Sequence, residues 1–543
     1  MVPIDHFDTA ATRAAGDVAI VDGVVSLTFA ELMAMSRTIA AAIARHDRNG
    51  SPVPVLLYGD NSYQFLAAML GVMRAGGVIV PLHAPNTAET SLRFLADTKP
   101  RCAFFDRSRA HEMRAMQQAI PSLQECICFE GAVDGYRSME EVVSSGADYE
   151  PTWIDASGNA ERPVYYWATS GTTGEPKVVI ETSRCFDVML KTARGMRAGR
   201  RNVSLTLAPM THGGGPGSFA TLTLGGTVVI HRVFDPDAVL RTIERDAVTE
   251  VWLSPTALYL LLDAAERRQY NLGSLTSVML GMAGVSPDKL KRAVQLFGPC
   301  ITHSYGQIET SFVTALSSSV LADATRGVHS ERLQSSGTSV YMNRVGIMDD
   351  DGRLLPPGEH GEIVVRGSGV KHYMDPQQTA AAQKQGWHRT GDVGYLDADG
   401  YLYVVGRIKD VVNMAGFKIA ASEVERVVME LEAVQECAVV AVPDAVRGET
   451  IKAIVVVRPG RTIAISAVIQ HCRSRLGNMK APHDVETWTE LPRSPVGKID
   501  KRQIRARLLS PTPAGVACRK HSPVARSNPP QCRSAKSRSA RST

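Results

Sequence analysis

The chain has 543 residues, more than one hydrophobic core usually serves, so two or more domains are expected. Hydrophobic residues make up 44% and charged residues 21%, ordinary values for a chain that buries a sizeable core. The formal net charge of +5 is local: Arg519 to the end holds seven Lys or Arg and no acid, so the rest carries about −2, and no nucleic-acid partner is expected for the folded body.

Nine cysteines lie scattered without a C-x-x-C pair or zinc spacing, and this set predicts reduced, buried thiols in a cytoplasm. Met1 to Ala15 contains Asp5, Asp8 and Arg13 and no long apolar run, so no signal peptide is read there. No uncharged apolar stretch reaches the roughly 18 residues of a membrane span.

In chain order, Thr28-Phe29-Ala30-Glu31 is a capping box opening a helix over Leu32 to Ala44. Val53 to Tyr58 reads as a buried strand, Ser62 to Arg74 as a helix stopped by Gly76-Gly77, and Val78 to Leu82 as a strand. Further strands are predicted at Pro163 to Ala168, Ser204 to Ala208, Thr227 to His231, Glu250 to Leu253 and Ser277 to Leu280. Helices are predicted at Asp237 to Arg245, Pro255 to Glu266 and Pro287 to Phe297. This alternation implies an α/β fold with parallel sheet. After Leu333 turn signals such as Asp351-Gly352 and Asp399-Gly400 mark a β-rich subdomain. A smaller α+β unit follows from Val411 to Leu509, with a helix near Ser422 to Leu431 and strands at Ala438 to Val442 and Ile451 to Val457. From Pro511 the chain is Ser, Pro, Arg and Lys with too little apolar surface to offset ordering entropy, so a disordered basic tail is expected.

The strongest local signal is Thr169-Ser170-Gly171-Thr172-Thr173-Gly174-Glu175-Pro176-Lys177. Glycines free backbone N–H groups to approach an anion, hydroxyls add donors and the lysine adds a point charge, which suits nucleotide phosphates. It differs from the G-x-x-x-x-G-K-[ST] loop because Gly174 precedes Glu-Pro-Lys and a strand, Val178 to Glu181. Other segments follow in order: Ala208 to His212, Tyr305-Gly306-Gln307-Ile308-Glu309-Thr310, Gly361-Glu362-Ile363, Thr390-Gly391-Asp392, Gly406 to Asp410, and Pro492 to Lys498.

On these segments the chain resembles the adenylate-forming superfamily, which contains acyl-CoA synthetases, adenylation domains of peptide synthetases and firefly luciferase. The resemblance covers roughly residues 20 to 505. It implies a large α/β N-terminal domain (1–405, with a β-rich part about 334–405), a hinge at 406–410, a small mobile α+β C-terminal domain at 411–510 and the tail at 511–543. It further implies an ATP-dependent ligase that joins a carboxylic acid to AMP and passes the acyl group to coenzyme A. A carrier-protein phosphopantetheine is the alternative acceptor, and nucleotide binding without turnover the alternative from another class.

By the same resemblance Glu309, with Thr169, holds the magnesium that accompanies ATP. Tyr305 faces adenine, Thr310 bonds the α-phosphate, and Asp392 and Arg407 take the ribose. His212 lies near the carboxylate, and Lys498 enters with the C-terminal domain to stabilise developing negative charge. Lys409 is the hinge, and Gly416-Phe417-Lys418 reaches the thiol tunnel in the second step. Gly281-Met282-Ala283-Gly284 and Gly337-Thr338-Ser339 depart from the family pattern, and both bear on the substrate. The run Thr211 to Gly217 is nearly all small and predicts space beside His212, with no cation for a second carboxylate. A monocarboxylic acid is expected, fatty first and aryl second.

Overall fold

The capping box at Thr28 forms as its residues dictate: Glu31 N donates to Thr28 Oγ1 at 3.2 Å and Thr28 N to the Glu31 carboxylate at 2.8 Å. It opens the helix Phe29–Ala44, which lies in the middle of the molecule. The computed structural model describes residues 2–47, 50–83, 87–149, 159–170, 176–196, 202–414, 417–444, 446–493 and 499–509. The tail expected at 511–543 lies outside them.

Two large sheets sandwich a layer of helices. In the nine-stranded sheet the strands run Thr338–Ser339, Ser311–Leu316, Ile301–Gln307, Ser277–Leu280, Glu250–Leu253, Val203–Thr206, Thr227–Ile230, Val18–Asp22, Val25–Thr28. Pairing is parallel from Ile301–Gln307 to Val18–Asp22 and antiparallel at both ends. The eight-stranded sheet runs His372–Tyr373, Pro176–Thr182, Pro163–Ser170, Val78–Pro81, Pro54–Tyr58, Cys102–Phe105, Glu125–Cys128, Arg137–Ser138. Between the sheets lie Phe29–Ala44, Tyr63–Arg74, Ser183–Gly195 and Gly214–Leu222, joined in one core with Ile20, Val55, Leu57, Tyr165 and Val228.

This middle layer explains Tyr63–Arg74, apolar nearly all round: every residue from Phe65 to Arg74 is buried. Gly71 is required there, since a Cβ would stand 2.4 Å from Ile39 Cγ2. Arg74 ends the helix 1% exposed and is held by both oxygens of Asp8 and by Ser36 Oγ. Outer helices cover the far faces, Pro236–Arg245, Pro255–Ala265 and Pro287–Phe297 on one sheet and Ala88–Thr98 and Ala110–Ala119 on the other.

The β-rich part is an antiparallel sheet of Asn343–Met348, Gly361–Gly367, Gln383–Lys384, Trp387–Leu396 and Leu402–Arg407. One segment departs from it: His372–Tyr373 pairs with Val179 and Ile180 of the eight-stranded sheet. The C-terminal unit pairs Val411–Met414, Phe417–Ala420, Val434–Asp444, Gly448–Val457 and Asp484–Trp488, and has its own core under Ala421–Val428 and Ile465–Leu476. Across its boundary Arg458 meets Asp263 at 3.1 Å and Arg426 donates to Gln334 at 3.0 Å. The seven described cysteines are buried and unpaired, as the sequence predicts. Among the described residues no helix is long and apolar enough to cross a membrane.

Candidate active site

Side chains tie the family-like segments of the two large sheets together: Glu309, beside the nine-stranded sheet, meets Tyr373 of the eight-stranded one, and Asn61 fastens Ala208 and Met210. Asn61, 5% exposed, lies just after the strand Pro54–Tyr58. Asn61 Nδ2 donates to Ala208 O at 3.1 Å and His231 O at 3.2 Å, and its Oδ1 accepts Met210 N at 2.7 Å. These bonds take Ala208 out of the strand predicted to include it, which stops at Thr206. Asn61 is in turn set by Asp106, whose Oδ2 accepts Asp60 N at 2.7 Å.

His212 follows this fastened segment. Thr211 Oγ1 lies 3.2 Å from His212 Nδ1 and 3.1 Å from His83 Nδ1, and the two imidazoles meet edge to face at 4.8 Å. The small residues after it do not all leave space. Gly214 and Gly215 begin the helix Gly214–Leu222, and a Cβ would stand 2.1 Å from Ala208 O at the first and 2.5 Å from Met210 O at the second. Their smallness lets the helix start against backbone. Gly217 has open surroundings, and Gly213 faces Trp252, whose ring meets Phe312 edge to face at 5.5 Å.

Asp392 is 5% exposed and paired across strands with Arg407. Arg407 Nε lies 3.3 Å from Oδ1, while Tyr305 OH and Gln307 Nε2 each donate to Oδ2 at 2.8 Å. Burial and then the charge of Asp392 push the Tyr305 phenol well above its ordinary value, so it remains a donor. Gln307 also donates to Thr390 O at 2.9 Å. A carboxylate offers about four acceptor sites, so Asp392 is oriented with capacity left for a further donor.

Thr310 is fully buried, and its hydroxyl accepts Gln307 N at 3.3 Å, closing the turn that carries Glu309. Gly306 admits no side chain, since a Cβ would stand 2.0 Å from Ser311 O. Glu309 Oε1 accepts Tyr373 OH at 3.0 Å. The opposite face of that network holds Lys177, with Nζ 5.1 Å from the Tyr373 ring centroid. Thr169 sits across from Lys177 in the strand register and donates to its carbonyl at 3.5 Å.

The structure thus gathers Lys177 with Glu309 around Tyr373, Asp392 with Tyr305 and Arg407, and His212 with His83, next to Gly213 that faces Trp252. Gly171, Thr172, Thr173 and Gly174 lie outside the described residues, as do Gly416 and Lys498. Ser170, Phe417 and Lys418 have strand backbone, and Lys409 sits exposed in the turn Ile408–Asp410. Sequence reasoning missed His83, Asn61, Lys371 and Tyr373. None sits in a segment with recognisable spacing; for His83 the one available signal was its place directly after a strand. Gln307 stood inside a quoted motif but was given no role.

A family model described as AMP-binding enzyme matches residues 7–372, and one described as AMP-binding enzyme C-terminal domain matches residues 423–498. An indoleacetate–CoA ligase of Aromatoleum aromaticum is 31% identical over 88% of this chain and 92% of its own length. A medium/long-chain-fatty-acid–CoA ligase of Mycobacterium tuberculosis is 32% identical over 72% of this chain and 70% of its own. Among solved structures, an amide bond synthetase from Marinactinospora thermotolerans superposes with a TM-score of 0.83 at 28% identity, covering 93% of this chain and 99% of that one.

Proposed function

Since this chain belongs to the AMP-binding enzyme family and is an ATP-dependent, AMP-forming acid–thiol ligase of the acyl-CoA synthetase type, we propose that it activates an apolar monocarboxylic acid, aryl before fatty, and hands it to coenzyme A. The observation that carries this reading is the pairing of Lys177 and Glu309 on the two ends of one tyrosine. A cation and a carboxylate held near each other, with an aromatic ring between, suit a polyphosphate and its metal. The aryl preference, which reverses the fatty-first expectation from the sequence, rests on Trp252 facing Gly213, the residue after His212, with Phe312 packed edge to face against Trp252.

In the first step a carboxylate oxygen of the acid attacks the α-phosphorus of ATP, and the bond to the β-phosphate oxygen breaks with release of pyrophosphate. Lys177 meets the phosphates and Asp392, with Arg407, takes the ribose hydroxyls. Lys498 stabilises the charge that develops between acid and phosphate. Glu309, whose Oε1 is occupied by Tyr373 while no donor among the described residues sits on Oε2, would hold magnesium together with Thr169, and the metal would neutralise phosphate charge. In the second step the CoA sulfur attacks the acyl carbon and AMP leaves. The C-terminal domain turns about Lys409 between the steps, withdrawing Lys498 and presenting the Gly416 segment. The unpaired, buried thiols fit a cytoplasmic setting for this chemistry.

The test is pyrophosphate release with a panel of aryl-alkanoic, cinnamic, fatty and dicarboxylic acids, followed by CoA-dependent release of AMP. Turnover with aryl monocarboxylates above the fatty acids is expected. Preference for a dicarboxylate, or acyl transfer to a carrier protein but not to CoA, would overturn the assignment.

A further inference from the structure

Tyr373 belongs by sequence to the β-rich part yet is seated on the edge of the eight-stranded sheet, opposite Val179. That placement brings it over Lys177, two residues earlier on the partner strand. Its hydroxyl extends to Glu309, which arrives from the nine-stranded sheet. The phenol hydroxyl is the donor and the carboxylate the acceptor in this 3.0 Å bond.

The surroundings hold this ring in place. Lys371, 7% exposed, makes an ion pair with Glu181 at 3.0 Å and donates from Nζ to Ile308 O at 2.7 Å. Lys371 N donates to Glu309 O at 2.8 Å, and the second Glu181 oxygen accepts Trp167 Nε1 at 2.7 Å. Tyr373 N donates to Thr379 Oγ1 at 2.9 Å. Both the backbone of Glu309 and the backbone of Tyr373 are therefore fastened, and the bond between their side chains has little freedom to drift.

We propose that Tyr373 is a positioning residue that couples the phosphate-facing Lys177 to the metal-facing Glu309, so that metal and nucleotide bind as one unit. This rests on the reading of those two residues given above. Its ring steadies the lysine through the π face, and its hydroxyl aims the carboxylate, as groups behind metal ligands do. Two substitutions separate these contributions. Tyr373→Phe keeps the ring and removes the hydroxyl; Tyr373→Leu removes both.

The measurement is calorimetric ATP binding to the full chain, without acid substrate, across a magnesium titration and again in EDTA. For Tyr373→Phe the magnesium concentration giving half-maximal enhancement of ATP binding should rise about tenfold, with affinity in EDTA unchanged. For Tyr373→Leu both should weaken. An unchanged magnesium requirement in Tyr373→Phe overturns the proposal. Glu309→Gln separates the two levels: if it leaves the magnesium requirement intact, Glu309 is no metal ligand and the underlying reading falls. If Glu309→Gln raises the requirement, the double variant with Tyr373→Phe should be no worse than Glu309→Gln alone, and additive losses would overturn the coupling. Thermal melts of each variant confirm that folded protein is compared.

Discussion

A single proton illustrates how a buried side chain supports the segment that carries Asn61. Burial pushes Asp106 up to about 6 from an ordinary 3.8, against the bond it accepts from Asp60 N. A carboxyl that holds its proton more tightly in the folded chain gives stability that is full below pH 3.8 and is lost as pH rises through 6. The melting temperature should therefore fall between pH 4 and 6.5 more for the native chain than for Asp106→Asn, a difference of about 3 kcal/mol at most. Parallel curves for the two proteins would show that Asp106 titrates normally. Lys498 acts on a different quantity. Lys498→Ala should slow pyrophosphate release by on the order of 10² to 10³ while sparing thioester formation from supplied acyl-AMP. Equal loss in both half-reactions, measured separately, would mean that the lysine stays in the site throughout.

At the scale of elements, the fastened segment Ala208–Met210 separates strand from helix and sets where His212 lies. Asn61→Ala would leave Met210 N and two carbonyls without their partner in a buried place, at about 1–3 kcal/mol for such groups. A lower melting temperature is expected together with a KM for the acid raised several-fold and a KM for ATP unchanged; equal rises in both would place the effect elsewhere. This contact also marks the limit of what the sequence discloses. Pro287–Phe297, Glu250–Leu253 and Ser277–Leu280 were legible to the residue because proline, apolar period and turn signals are local. Asp392, Arg407, Tyr305 and Glu309 stood out as candidates because their segments follow one another in the family's order. Asn61, His83, Lys371 and Tyr373 act on partners more than sixty residues away, and no local pattern reports such a pairing. The glycines at 214 and 215 read as space from composition alone, whereas backbone contact is what they serve.

The whole molecule joins two units, each with a core of its own, through the exposed turn Ile408–Asp410. Asp410 is held by Arg505 of the last described helix at 2.8 Å, so the turn is anchored on one side and open on the other. Proline at Lys409 would fix φ near −65° and remove the N–H. Lys409→Pro is expected to keep pyrophosphate release and lose CoA-dependent release of AMP, read by stopped flow. Both steps at the native ratio would move the pivot elsewhere. The interleaved strand order carries a further consequence, for synthesis on the ribosome. Ile20 pairs with Val228, so the strand Val18–Asp22 waits for a neighbour made roughly 200 residues after it. At about 5–20 residues per second that delay is on the order of 10 to 40 s. During it seven strands of the eight-stranded sheet, from Pro54–Tyr58 to Pro176–Thr182, are complete and can pair, while the hairpin Val18–Thr28 stays an unpaired edge. That hairpin therefore needs shelter while the rest of this enzyme is made, although it ends as one of the sheet's quiet margins.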